Sequence, residues 1–118
     1  MRTEFSRMIT VTTPDGGADK YPLCCREEAA GNLALDMFFD SAAALDAFMV
    51  WLASEDPAAA LADRDEIDAL FDEWTGYTAG DMIDEAMKTG RSAAYGYTVE
   101  VSADEQPYTV MHDGVVEC

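Results

Sequence analysis

Asp63-Arg64-Asp65-Glu66-Ile67-Asp68-Ala69-Leu70-Phe71-Asp72-Glu73-Trp74 is the most strongly periodic stretch of the chain. Ile67, Leu70, Phe71 and Trp74 stand at i, i+3, i+4 and i+7, the spacing that stacks apolar side chains on one face of an α-helix. The stripe is expected to be core, and Gly76 is expected to end the helix. Towards the N-terminus, Leu45, Phe48, Met49 and Leu52 repeat the spacing after the N-cap candidate Asp40-Ser41, in a helix expected to end near Ser54, with Pro57 restarting the chain as a first-turn proline. Towards the C-terminus, Met82, Ile83, Ala86 and Met87 share one face over residues 79–89, closed by Gly90. Segment 40–90 is therefore expected to hold about three helices.

The flanks change period from 3.6 to 2. Residues 8–13 are rich in β-branched side chains, Pro14-Asp15-Gly16-Gly17 supplies turn chemistry, and residues 21–25 return as a second strand. Leu33, Leu35, Met37 and Phe39 alternate, so residues 32–39 are expected to form a third strand. After Gly90, Tyr95, Tyr97, Val99 and Val101 alternate, residues 107–111 extend, and Asp113-Gly114 turns into Val115-Val116. Segregated strands, helices and strands predict an α+β fold: an antiparallel sheet from the N-terminal and C-terminal strands with the central helices on one face. At 118 residues the chain is expected to be one domain, with strands in 1–39, an acidic helical segment in 40–90 and strands in 91–118.

Charge narrows the function. The chain carries 24 acids against 7 Lys plus Arg, a net charge of -17. Between Glu27 and Met87 there are 16 acids and one base, Arg64, so that span holds -15 of the total. A surface this negative is repelled by nucleic acid and by anionic lipid, which bind through Lys and Arg, and direct contact with either is not expected. The longest run without a polar side chain is seven residues, 47–53, too short for a membrane span and not set behind the basic start of a signal peptide, and a cytoplasmic location is expected. Three cysteines, Cys24, Cys25 and Cys118, are read as reduced, partly buried thiols.

Catalytic and metal readings find little support. Residues 63–68 open like a calcium loop, but Ile67 stands at a ligand position and Asp68 where the turn glycine belongs. His112 is the single histidine, so clustered zinc ligands are missing. There is no glycine-flanked serine elbow and no phosphate-cradling glycine loop. No metal, no cofactor and no enzymatic activity are expected. Trp74 lies on its helix's apolar stripe and is expected in the core, whereas Trp51 lies beside one.

The six acids Asp63, Asp65, Glu66, Asp68, Asp72 and Glu73 fall within eleven residues and avoid the apolar stripe. On a helix roughly 16 Å long they give one charge per roughly 3 Å, close to the spacing of about 3.4 Å along one DNA strand. Acids spaced i, i+4, such as Asp68 and Asp72, repel by a few tenths of a kcal/mol. Glu55, Asp56, Asp81, Asp84 and Glu85 from neighbouring helices are expected to extend this face into a two-row surface. In size and acidity the chain resembles the small acidic phage-encoded inhibitors that mimic nucleic acid, the anti-CRISPR and anti-restriction proteins. The resemblance implies a partner with a basic nucleic-acid-binding surface, such as a defence nuclease or an RNA-guided surveillance complex. An immunity protein or antitoxin would use the same acidity against a basic nuclease toxin. Adaptation to high salt and a merely solvated helix face are the remaining origins of such a surface.

Overall fold

The computed structural model describes residues 2–110. The fold is α+β, with three α-helices between two groups of antiparallel strands among the described residues. Strand β1 (Arg2–Ser6) is followed by β2 (Met8–Thr12) and β3 (Ala18–Pro22). Then come α1 (Arg26–Asp40), α2 (Ala42–Glu55) and α3 (Arg64–Thr89), and after them β4 (Arg91–Ala94), β5 (Tyr97–Val101) and β6 (Gln106–Val110). Short 3-10 turns at Leu23–Cys25 and Ala59–Leu61 bridge into α1 and towards α3.

The expected single sheet is in fact two. β3-β2-β5-β4 form one sheet, while β1 and β6 pair as a separate ribbon. N-terminal and C-terminal strands meet at the centre of the four-stranded sheet, where Ile9 faces Val101 and Val11 faces Val99. Period-two alternation sends Ile9, Val11, Tyr97, Val99 and Val101 into the core cluster with Leu33, Met37, Phe48, Phe71, Met82 and Ile83. Thr10, Thr12 and Thr98, one position out of phase, remain half-buried. The hairpin read at 14–17 is present: Gly16 takes φ 93, and the Thr13 N–H donates to the Gly17 carbonyl at 2.8 Å. The return strand β3 stops at Pro22, short of the expected residue 25, because Leu23–Cys25 winds into a 3-10 turn.

Residues 32–39 are the main correction. They belong to α1, so the helical layer begins at Arg26 and not at residue 40. Ala29, Leu33 and Met37, at i, i+4 and i+8, are its buried stripe, while Leu35 and Phe39 are 52% and 72% exposed. The apparent alternation arose from two apolar residues that face solvent. Glu27 and Glu28 in the first turn favour the helix N-terminus.

The helices expected at 63–74 and 79–89 are one continuous α3. Gly76 does not stop it, because the segments on either side bury Phe71, Thr75, Ala79, Met82, Ile83 and Ala86. The actual stop is Gly90, at φ 94, whose N–H donates to the Ala86 carbonyl at 2.7 Å. Gly76 is exposed and a Cβ there would meet nothing within 4 Å. Gly76→Ala is therefore expected to raise stability by roughly 0.5–1 kcal/mol, read as a higher denaturant midpoint. A lower midpoint would show that α3 breaks there.

Other boundaries shift by small amounts. Tyr95 does not extend a strand but forms, with Gly96, the two-residue turn between β4 and β5, both at positive φ (54 and 84). Pro57 precedes a 3-10 turn and not an α-helix. Residues 107–110 are extended in β6 as expected, whereas Met111, His112, the Asp113-Gly114 turn, Val115-Val116 and Cys118 lie outside the described residues. Cys25 is buried and disulfide-bonded, which corrects the reduced-thiol expectation for that residue, while Cys24 is a free, exposed thiol.

Candidate protein-binding face

The acidic face rests on how α3 is anchored. Phe71 is 3% exposed and its ring lies 5.3 Å from Phe38 of α1, 5.1 Å from Phe48 of α2 and 6.0 Å from Trp74. Trp74 and Ile67 are half-buried beside it. Leu70, expected in the core, is 37% exposed because it sits at the outer edge of the stripe. Trp51, whose position the sequence left open, is exposed, with its ring 6.0 Å from that of Phe48 and tilted by 33°.

With the apolar side held, the first turns of α3 present their carboxylates outward. The Asp63 side chain caps the helix by accepting from the Glu66 N–H at 3.0 Å, and Asp65 and Glu66 occupy the positive end of the helix dipole. Asp63, Asp65, Glu66, Asp72 and Glu73 are exposed and Asp68 is half-buried. Arg64 reaches Asp68 at 3.8 Å, an exposed i, i+4 pair worth little. At about 100° per residue, Asp65, Glu66, Asp68, Asp72 and Glu73 fall within an arc of roughly 160°.

The remaining candidates meet that patch only along one edge. Asp81, Asp84 and Glu85 are exposed on the last turns of α3, where the buried stripe has rotated, so that Asp81 and Asp84 line up with Glu66 and Glu73 at one edge of the first group while Glu85 is turned well away from it. Glu85 also accepts a hydrogen bond from the Ser92 hydroxyl at 3.2 Å. Glu55 ends α2, and Asp56 accepts from the Ala59 N–H at 3.2 Å, so both belong to the connection between α2 and α3. The expected two-row surface is thus an acidic N-terminal half of α3 continued along one edge by Asp81 and Asp84, with Glu85 and the Glu55-Asp56 pair set apart from it.

A second acidic site escaped the sequence reading. Asp15, Asp36 and Asp40 line a cleft with Thr13, Pro14 and Tyr97, between the β2-β3 turn and α1. Burial, then the hydrogen bond and charge of Asp36, then Asp40 and Asp15, push the Tyr97 hydroxyl far above the usual phenol range. The signal was the i, i+4 pair Asp36 and Asp40, which share a face only once residues 32–39 are helical. The Asp15 carboxylate accepts from the Thr13 hydroxyl and from the Gly17 N–H, which hold it below the usual aspartate range. A depressed carboxylate stabilises the turn above its ordinary pKa and loses that contribution as pH falls through the lowered value. The Gly17 amide proton resonance is accordingly expected to titrate with a midpoint below the ordinary aspartate range. A midpoint at or above that range would contradict the hydrogen-bonded turn.

No protein-family model, curated protein or solved structure matches the chain. Its chemistry is read from its own residues. Among the described residues no helix is long and apolar enough to cross a membrane, and no group of three or more His, Cys, Asp or Glu side chains is placed to hold a metal ion. What the α3 face offers is a rigid row of anions, able to attract and orient a cationic surface.

Proposed function

We propose that the chain is an acidic binding protein whose α3 face occupies a basic nucleic-acid-binding surface of a partner protein and blocks it. The supporting observation is the outward display of Asp63, Asp65, Glu66, Asp68, Asp72 and Glu73 around a single base, Arg64, on a helix fixed from behind by Phe71. Solvation alone tolerates interspersed lysines, whereas competition for a phosphate-binding surface requires their exclusion. The partner that the compositional resemblance favours is a defence nuclease or a CRISPR surveillance complex. The chain acts by steric and electrostatic competition and not by catalysis. The buried disulfide at Cys25 runs against a reducing compartment, where such bonds are rare.

The reading is tested by affinity capture with the intact chain, followed by a salt titration of whatever basic protein is recovered. Association should weaken steeply with ionic strength, since several exposed charge pairs would dominate it. An affinity indifferent to salt would remove the electrostatic reading. Recovery of a small toxin nuclease as the sole partner would move the conclusion to an immunity protein. High-salt adaptation makes a separate demand, that the chain unfold in dilute buffer. The expected result is a cooperative fold in dilute buffer with only modest further stabilisation by salt, measured by thermal melts across ionic strength.

A further inference from the structure

The continuity of α3 creates a surface that two separate helices would not have. Glu66, Leu70, Glu73, Tyr77, Asp81 and Asp84 are all exposed on this one helix. At about 100° per residue they fall within an arc of roughly 80°, as a single stripe about 27 Å long. Two large apolar side chains are thus interleaved with four carboxylates. Tyr77 is 70% exposed and stands roughly 10.5 Å along the axis from Leu70. An aromatic ring left in water between carboxylates contributes nothing to solubility, and Tyr77 lies outside the core cluster.

We infer that this mixed stripe docks on a basic protein groove that also carries aromatic side chains, the chemistry of a single-strand-binding groove. The inference rests on the proposed blocking function and narrows its partner class. Grooves that bind single strands combine cations along the backbone path with aromatic platforms for unstacked bases. Surfaces that track a duplex bind mainly phosphates, because the bases stay within the stack. On α3 the carboxylates take the place of phosphates, while Tyr77 and Leu70 take the place of bases. Charge excludes a second copy of the chain as occupant: Glu66, Glu73, Asp81 and Asp84 would face their own like charges, within a chain of net charge -17.

The test uses two synthetic peptides of equal lysine count, one of lysine alone and one with tryptophans interspersed, titrated against the full chain at low salt. The tryptophan-bearing peptide is expected to bind about fivefold to tenfold tighter. That preference should disappear in the double variant Leu70→Ser, Tyr77→Ser and persist in Val50→Ser, which alters the exposed apolar face of α2. Circular dichroism of each variant confirms that it is folded. Equal affinity for the two peptides, or a preference lost in Val50→Ser and kept in the double variant, overturns the inference. Equal affinities that both collapse on reversal of Asp65, Asp68 and Asp72 would leave the blocking function standing. Affinities untouched by that reversal would remove the blocking function itself.

Discussion

Simultaneous replacement of Asp65, Asp68 and Asp72 by Lys is expected to weaken the partner complex by roughly 4 kcal/mol or more, about a thousandfold in Kd. Each change removes an attractive contact and adds a repulsive one, and close interfacial charge pairs are worth about 1.5 kcal/mol or more. Asp65 and Asp72 are exposed, and Asp68 is half-buried at the margin of the stripe, where a lysine stem can lie along apolar surface with its ammonium in water. The variant loses the Arg64–Asp68 pair and one favourable first-turn carboxylate, each worth a few tenths of a kcal/mol. It should therefore remain folded, with circular dichroism and a thermal melt as controls. A folded triple variant that binds undiminished would make the acidic face mere solvent decoration.

The largest effect on stability is expected from Phe71→Ala, at roughly 3–5 kcal/mol. Phe71 joins three helices, since its ring meets Phe38 of α1 and Phe48 of α2 from its own place on α3. Truncation leaves a cavity that neighbouring aromatic rings, being rigid, fill poorly. Against a typical domain stability of about 5–15 kcal/mol, the loss takes a large share of the total. Urea denaturation followed by circular dichroism measures it. A loss under about 1 kcal/mol would mean that α2 and α3 do not share a packed core.

These two residue sets also show where the sequence was readable. Phe71 was legible because Ile67, Leu70, Phe71 and Trp74 keep a 3.6-residue period over residues 63–74, which the Asp63 cap and the first-turn acids of α3 support in the fold. Residues 32–39 were misread because Leu33 and Met37 face the core while Leu35 and Phe39 face water, and apolar residues on both sides imitate a two-residue period. The small side chain of Ala29, buried one turn earlier, gave the competing helical period little weight. Gly76 carries a real helix cost of about 1 kcal/mol, which tertiary burial on both sides of it overrides. That single misreading also hid the acid and aromatic stripe, since Tyr77 and Asp81 share a face with Glu66 and Glu73 only if the helix runs through Gly76.

The candidate site divides in the same way. Exclusion of bases from residues 27–87 is a property of composition and could be counted directly. Whether those acids meet in space depends on the rotation of the buried stripe, from Ile67 and Phe71 at one end of α3 to Met82 and Ile83 at the other. That rotation is set by packing on α1 and the sheet, so Asp81, Asp84 and Glu85 could not be assigned a side in advance. The cleft at Asp15, Asp36 and Asp40 was hidden for a related reason, because it joins a hairpin turn to a helix that had been read as a strand.

Competition with nucleic acid is the most direct test of the blocking function. The captured partner, loaded with a labelled oligonucleotide, is titrated with the intact chain while the label's anisotropy is followed. Stoichiometric release of the oligonucleotide is expected, with the triple lysine variant leaving it bound. A ternary complex, in which chain and oligonucleotide occupy the partner together at saturation, would contradict that function.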